Sequence, residues 1–334
     1  MGLFNPYFDT MGGGERYFLT AASYYLNRGD TVDIFWHNPA IKSEIKERFN
    51  IDIDKANFVS KFKTFGYDLI FFVSDGSIPF SFAKKTIIHF QTPFTYNNIN
   101  LLTKIKLFRT SIICNSEFTK SFVDKSYGVN STVVYPPVDI DAFNSGKKEN
   151  IILTVGRFFG PSHPKKQEVL IKEFIKMKLK NWKLVLIGGV FPGSENEVEK
   201  LAKLSKGYPI KIIPNSNFET LKEYYGKAKI YWHATGFGED LAKYPEKAEH
   251  FGISTVEAMA AGCVPVCFSG GGQVEIIDNN INGFLWKTVK ELTEITLKII
   301  GDDKLRQKIA NNAMQKSGDY NLKKFYAGLE AVSK

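Results

Sequence analysis

Residues 249–272 read EHFGISTVEAMAAGCVPVCFSGGG, and the order of residue types in this stretch decides the fold. A polar loop runs to Gly252. Ser254 or Thr255 then offers the side-chain oxygen expected at the start of a helix. The run at 264–268 is of strand length and apolar throughout. Without polar alternation, such a strand is covered on both faces, as in a parallel sheet flanked by helices. Residues 269–273, SGGGQ, form a glycine-rich turn before a further helix.

Working outward, the same alternation recurs. In the second half, strands are expected at 151–155, 183–187, 210–213, 230–233 and 264–268, separated by amphipathic stretches. In the first half they are expected at 32–36, 69–73, 86–90, 111–114 and 132–135, with a short one at Leu3-Phe4. A pattern of parallel strands and helices that occurs twice predicts an α/β protein of two Rossmann-like, doubly wound domains facing a central cleft. Pro136-Pro137 stops the first set, and Asn144-Ser145-Gly146-Lys147-Lys148 reads as an exposed linker. The expected domains are 1–145 and 146–316, followed by a last segment, 317–334, that carries a helix over about 322–332.

Ligands in such sheets bind beyond the carboxyl ends of the strands, so the loops there hold the candidate chemistry. Met11-Gly12-Gly13-Gly14 precedes a helix whose free N–H groups suit an anion. A dinucleotide fingerprint fits poorly, because Tyr17 stands where its third glycine belongs. His89 ends a strand and could hydrogen-bond a sugar hydroxyl or polarise a leaving group. Arg157 follows the first strand of the second half, and Lys165-Lys166 precede the next helix. Arginine and lysine together neutralise a diphosphate. Around the quoted stretch, Glu249 and Glu257 suit hydroxyls of a sugar and a ribose. Backbone N–H groups of Gly252, Ile253, Ser254 and Thr255 suit phosphate or sugar oxygens.

The net charge of +9 is uneven, about +1 over residues 1–146 and +8 over 147–334. Such a field favours anionic partners. Cys114, Cys263 and Cys267 lie in apolar runs without a CxxC pair, which predicts buried reduced thiols and a cytoplasmic protein. No acidic residue occurs between Asp75 and Glu117, while Lys84, Lys85, Lys104, Lys106 and Arg109 alternate with large apolar residues. This basic, apolar segment over 80–109 suits an anionic membrane and predicts peripheral contact with its inner face. No nucleic-acid-binding motif is present.

Together these segments resemble glycosyltransferase family 4, the retaining GT-B enzymes. The likeness is carried by MGGGERYFLTAASYYLNRGDTVDIF at 11–35, CNSEFTKSFVDKSYGVNSTVVYPPVDI at 114–140, VGRFF at 155–159, KKQEVLIKEF at 165–174, LVLIGG at 184–189 and EHFGISTVEAMAAGCVPVCFSGGGQVEII at 249–277. The last contains the family's Glu-x7-Glu signature. The segment around Glu249 also resembles α-1,2-mannosyltransferases that extend lipid-linked oligosaccharides. The loop between Arg157 and Lys165 departs from the family by the insertion Gly160-Pro161-Ser162-His163-Pro164.

The resemblance implies a UDP- or GDP-sugar donor and a glycan or lipid-linked acceptor. It puts Gly13 and Gly14 against the donor, Arg157 and Lys165 on the diphosphate, with Lys166 as the alternative lysine. It puts Glu249 on the donor sugar, Glu257 on the ribose and His89 near the reacting sugar. The final helix is expected to cross back to the first domain. No nucleophile stands paired with a base, so a front-face route is expected, without cofactor or divalent metal. A GT-B epimerase acting on the sugar nucleotide, and a non-catalytic sugar-nucleotide-binding regulator, are the competing readings.

Overall fold

The computed structural model describes the chain apart from residues 9–11, 62, 96–98, 161–164, 191–192 and the Arg48 side chain. Met11 and the Pro161–Pro164 part of the inserted loop therefore lie outside the described residues. The chain forms two compact units, Met1–Pro137 with Leu322–Lys334, and Val138–Asn321.

The first unit holds β1 (Gly2–Phe4), β2 (Asp33–Phe35), β3 (Asn57–Val59), β4 (Leu69–Val73), β5 (Lys85–Phe90), β6 (Thr110–Cys114) and β7 (Thr132–Val133). They pair in the order β3-β2-β1-β4-β5-β6-β7, all parallel. Between them run α1 (Gly13–Asn27), α2 (Ile41–Phe49), α3 (Leu101–Leu107) and α4 (Glu117–Tyr127). The apolar strands are explained by two-sided burial. Phe71, Val73 and Ile87 pack with Phe18, Leu19 and Phe325 on one face. Their chain neighbours Ile70, Phe72 and Ile88 pack with Leu107, Val123 and Tyr127 on the other. The last helix, α12 (Leu322–Ser333), belongs to this unit. Tyr17 meets Phe325 edge-on at 4.8 Å and Tyr24 stacks on Tyr326 at 4.9 Å.

The second unit holds β8 (Glu149–Val155), β9 (Lys183–Gly188), β10 (Ile210–Pro214), β11 (Ala228–His233), β12 (Val264–Phe268) and β13 (Phe284–Trp286). Their order is β10-β9-β8-β11-β12-β13, again all parallel. The helices are α5 (Gln167–Met177), α6 (Glu195–Ser205), α7 (Phe218–Lys227), α8 (Ile253–Ala260), α9 (Gln273–Ile276), α10 (Val289–Gly301) and α11 (Asp303–Ser317). In both sheets three strands advance to one side, and the chain then returns to the far side of the first. The strand order reverses between β1 and β4 and between β8 and β11. Two such units are the make-up of the GT-B fold.

Two expectations are corrected. The break falls after Pro137 rather than at 145, and α12 rather than the whole of 317–334 returns to the first unit. The reason is that Val138 is already tied to the second unit: it bridges Asn321, and its N–H donates to the Tyr320 carbonyl. The supposed linker is docked as well. Gly146 N–H donates to the Gly226 carbonyl, and Lys148 Nζ to the Ala261 carbonyl at 2.6 Å.

Candidate functional site

The reversal between β8 and β11 brings the loops after these two strands together at one sheet edge. Arg157 lies in the first loop, two residues past the end of β8. Its guanidinium carbon stands 5.7 Å from the Phe159 ring centre, and its carbonyl accepts from Gln167 Nε2 at 3.1 Å. Lys165 follows; its side chain runs beside Gly156, where an added Cβ would sit 3.3 Å from Lys165 Cγ.

Glu249 lies in the loop after β11. Its Oε2 accepts from Lys165 Nζ at 2.8 Å and lies 2.9 Å from His233 Nε2. Thr235 Oγ1 is 3.1 Å from the same nitrogen. A carboxylate only accepts, so the network assigns the hydrogen to Nε2 of His233. Burial pushes the Glu249 carboxyl up, but the charge of Lys165 and the bond from His233 outweigh it. The net position is well below the ordinary glutamate value. Glu249 is therefore a fixed anion, with one oxygen taking both donors. Lys166 takes another path: at φ 58 it caps α5, and its Nζ pairs with Glu239 at 2.6 Å. Of the two lysines, Lys165 is the one beside Glu249.

The quoted stretch folds back on itself after Glu249. Helix α8 begins at Ile253 with Gly252 as its N-cap, at φ 125. The expected cap at Ser254 or Thr255 is displaced because Gly252 supplies a turn that side-chain-bearing residues rarely adopt. An added Cβ there would stand 2.5 Å from Gln273 Nε2. The glycine-rich turn at 269–273 approaches the chain itself. An added Cβ on Gly271 would stand 2.1 Å from the Glu249 carbonyl oxygen, and Gly272 N–H donates to that oxygen at 2.7 Å.

Two tyrosines underlie the start of α8. Tyr225 donates to Glu257 Oε2 at 2.9 Å, with the Ser254 carbonyl at 3.2 Å. Tyr231 hydroxyl is 2.8 Å from Ser254 Oγ and 3.3 Å from the Val155 carbonyl. Burial first, then nearby negative groups, hold both phenols well above their ordinary value, so both stay protonated. Glu257 is 5 % exposed, and Thr255 is buried. Glu257 thus braces the helix start from beneath, while 252–254 present the first backbone N–H groups of α8.

The sequence reading missed His233, Thr235, Tyr225, Tyr231 and Gln273. A signal for three of them exists in β11 and the two residues after it. Ile230, Trp232 and Ala234 enter the core, so Tyr231, His233 and Thr235, alternating with them, share the other face. Gln273 is fully buried, and both its amide atoms lack partners among the described residues.

The remaining expected residues are in the first unit. Gly13 is the first residue of α1, and Gly14 lies against the Gln91 side chain, where an added Cβ would meet Oε1. The His89 ring is 0 % exposed and lies 3.8 Å from the Tyr17 ring. Burial lowers its pKa to about 3. It is a neutral ring here, stacked through its face and with both nitrogens at its edge unpartnered among the described residues.

The family model for glycosyl transferases group 1 matches residues 137–316. The chain belongs to this family. The matched span of this group 1 protein covers Arg157, Lys165, Glu249 and Glu257. A curated relative from Dictyostelium discoideum, named GDP-Man:Man(3)GlcNAc(2)-PP-Dol alpha-1,2-mannosyltransferase, is 26 % identical over 88 % of the chain and 56 % of its own length. Its Homo sapiens namesake is 26 % identical over 88 % of the chain and 57 % of its own length. The chain thus spans a little over half of these relatives. Among solved structures, a glycosyltransferase from Rickettsia africae has a TM-score of 0.79 at 20 % identity, covering 100 % of this chain and 97 % of its own. An Anabaena protein in complex with UDP has a TM-score of 0.76 at 17 % identity, covering 99 % and 98 %. These likenesses establish the GT-B fold.

Proposed function

We propose that the protein is a retaining glycosyltransferase that moves a hexose from a nucleoside diphosphate sugar to a glycan or lipid-linked acceptor. The observation that carries this reading is the Lys165–Glu249–His233 network at the β8/β11 reversal, beside the N-terminus of α8. A cation and a helix start suit a diphosphate, and a fixed carboxylate suits sugar hydroxyls. GDP-mannose is the first donor to test, because both curated relatives carry it in their names. UDP-glucose is the second, because the Anabaena fold neighbour was solved with UDP.

In this reading the bond from the anomeric carbon to the diphosphate oxygen breaks while the acceptor oxygen bonds to that carbon on the same face. The acceptor's proton passes to the departing diphosphate oxygen. Arg157 and Lys165 stabilise the charge that develops there, Glu249 orients the sugar, and Glu257 keeps the start of α8 in place for the donor. The reading needs no cofactor and no divalent metal, since Arg157 and Lys165 supply the positive charge. A cytoplasmic setting is supported by three buried, unpaired cysteines.

A thermal-shift series with GDP, UDP, GDP-mannose and UDP-glucose tests the donor. The expected result is a rise with one base, and a larger rise with its sugar than with the bare diphosphate. Transfer from the labelled donor, read by product anomer with and without EDTA, tests the rest. No stabilisation by any of the four ligands sinks the reading. An inverted product, or activity abolished by EDTA and restored by manganese, sinks the mechanism.

A further inference from the structure

The first unit carries a ridge of apolar side chains that its own core does not use. On α3 and just past it, Leu101, Ile105 and Phe108 recur at helix spacing and are 74 %, 58 % and 89 % exposed. The inward residue of the same helix is Leu107, which is buried against β6 and α4. Soluble helices present their polar face to water; this one presents apolar residues on the outer face.

Two loops extend the ridge. Lys106 Nζ donates to the Ile78 carbonyl at 2.9 Å and sits 4.6 Å from the Phe80 ring centre, tying α3 to the loop before β5. Phe82 in that loop is 75 % exposed, and its N–H donates to the Thr64 carbonyl at 3.1 Å. That bond draws in the loop before β4, where Phe65 is 67 % exposed. Seven of the thirteen exposed large hydrophobic residues of the described chain fall between Phe65 and Phe108. A cluster of this kind marks an interaction surface.

The charge around the ridge identifies the partner. Lys61, Lys63, Lys104 and Arg109 are exposed on the same loops and helix. Asp68 pairs with Lys84 at 2.6 Å, and residues 76–116 contain no Asp or Glu. Exposed aromatic and aliphatic tips flanked by uncompensated cations match the interface of an anionic bilayer. The rings enter the acyl boundary and the cations meet headgroup phosphates. A protein partner of the apolar face alone would leave this basic rim without a counterpart. No helix among the described residues is long and apolar enough to cross a membrane, so the contact is one of lying on the surface.

We propose that the ridge formed by α3 and the loops before β4 and β5 docks the first unit on an anionic lipid surface. The proposal is independent of the donor chemistry, since binding is measured without any sugar nucleotide. The test is co-flotation of the full chain with vesicles of phosphatidylcholine alone, and of phosphatidylcholine mixed with an equal share of phosphatidylglycerol.

Binding is expected to the mixed vesicles, weakening with added salt, and not to phosphatidylcholine alone. Lys104→Glu/Arg109→Glu is expected to weaken it by about tenfold or more. Ile105→Ser/Phe108→Ser is expected to weaken it by a similar factor with the melting temperature unchanged, because both side chains already face solvent. Equal behaviour of wild type and both variants on the mixed vesicles overturns the proposal, as does an absence of binding at low salt. Concentration-dependent dimers that dissolve in Ile105→Ser/Phe108→Ser, without vesicle binding, would assign the ridge to a second copy of the chain instead.

Discussion

The Lys165–Glu249 pair should be energetically coupled, and a double-mutant cycle measures by how much. The pair is 2.8 Å long, with side chains 16 % and 19 % exposed. It lies between two limits. Fully exposed pairs are worth about 0–1 kcal/mol, and losing one partner of a buried pair costs roughly 3–5 kcal/mol. With about a sixth of each side chain still in contact with water, a coupling of about 2 kcal/mol follows. Lys165→Met leaves Glu249 with His233 alone. Glu249→Gln leaves Lys165 beside a neutral amide. Each single variant should lower the melting temperature by about 4–8 °C, taking roughly 2–4 °C per kcal/mol for a unit of this size. The double variant should fall short of the sum by about 2 kcal/mol. Additivity within about 0.5 kcal/mol would show that the two groups do not interact and would refute the network. The same variants separate binding roles. Lys165→Met should abolish the shift produced by the bare nucleoside diphosphate. Glu249→Gln should keep that shift and lose the extra rise given by the sugar.

Gly252→Ala should destabilise by about 1–3 kcal/mol, because φ 125 is strained for alanine and the new Cβ meets buried Gln273. Gly301→Ala, where an added Cβ meets nothing within 4 Å at the end of α10, is the control and should be neutral or slightly stabilising in the same melting assay. Glu257→Ala removes the shorter-bonded of the two acceptors of buried Tyr225, leaving the Ser254 carbonyl, and should cost about 1 kcal/mol of stability together with donor affinity in calorimetric titration. Glu257→Gln should recover part of both. His89 is held neutral, with its pKa lowered from 6.5 to about 3. The unfolded chain therefore takes up this proton first as pH falls, so the contribution is complete above 6.5 and is lost progressively on the way down to about 3. His89→Phe should flatten that part of the stability–pH curve; an unchanged curve would mean the ring is not buried in solution.

How much of this was legible in the sequence depended on where the determining contact lies. Runs such as 69–73 and 264–268 announced strands because two-sided burial removes polar alternation locally. β3 and β13 gave no such signal: each has three residues and pairs along only one edge, so neighbouring strands rather than composition define them. The domain break was placed eight residues late for a related reason. Pro136-Pro137 was visible, but the bonds from Val138 to Tyr320 and Asn321 join positions far apart in the chain.

The same distinction governs the site. Arg157, the Lys165-Lys166 pair, Glu249 and Glu257 stood out in the sequence because they lie at the carboxyl end of a strand or at a helix start, and only the structure separates Lys165, on Glu249, from Lys166, on Glu239. Glycine was harder to read, since closeness to a ligand and closeness to the chain's own backbone demand the same residue. Gly271 and Gly272 serve the second purpose, pressing on Glu249 and Phe251. His233 was hidden inside an apolar strand, and its partner lies sixteen residues on across a loop. Once β11 is fixed in the sheet, however, its alternation leaves Tyr231 and His233 no place but the face toward Ser254 and Glu249, and Thr235 just beyond it meets the His233 ring. It follows that β11 sets the geometry of the carboxylate from beneath. His233→Phe, which keeps bulk and removes the bond, should then lower the sugar-dependent part of donor affinity while leaving the diphosphate part intact. Equal loss of both parts in calorimetric titration would mean that His233 supports the fold of the loop as a whole and not the orientation of Glu249.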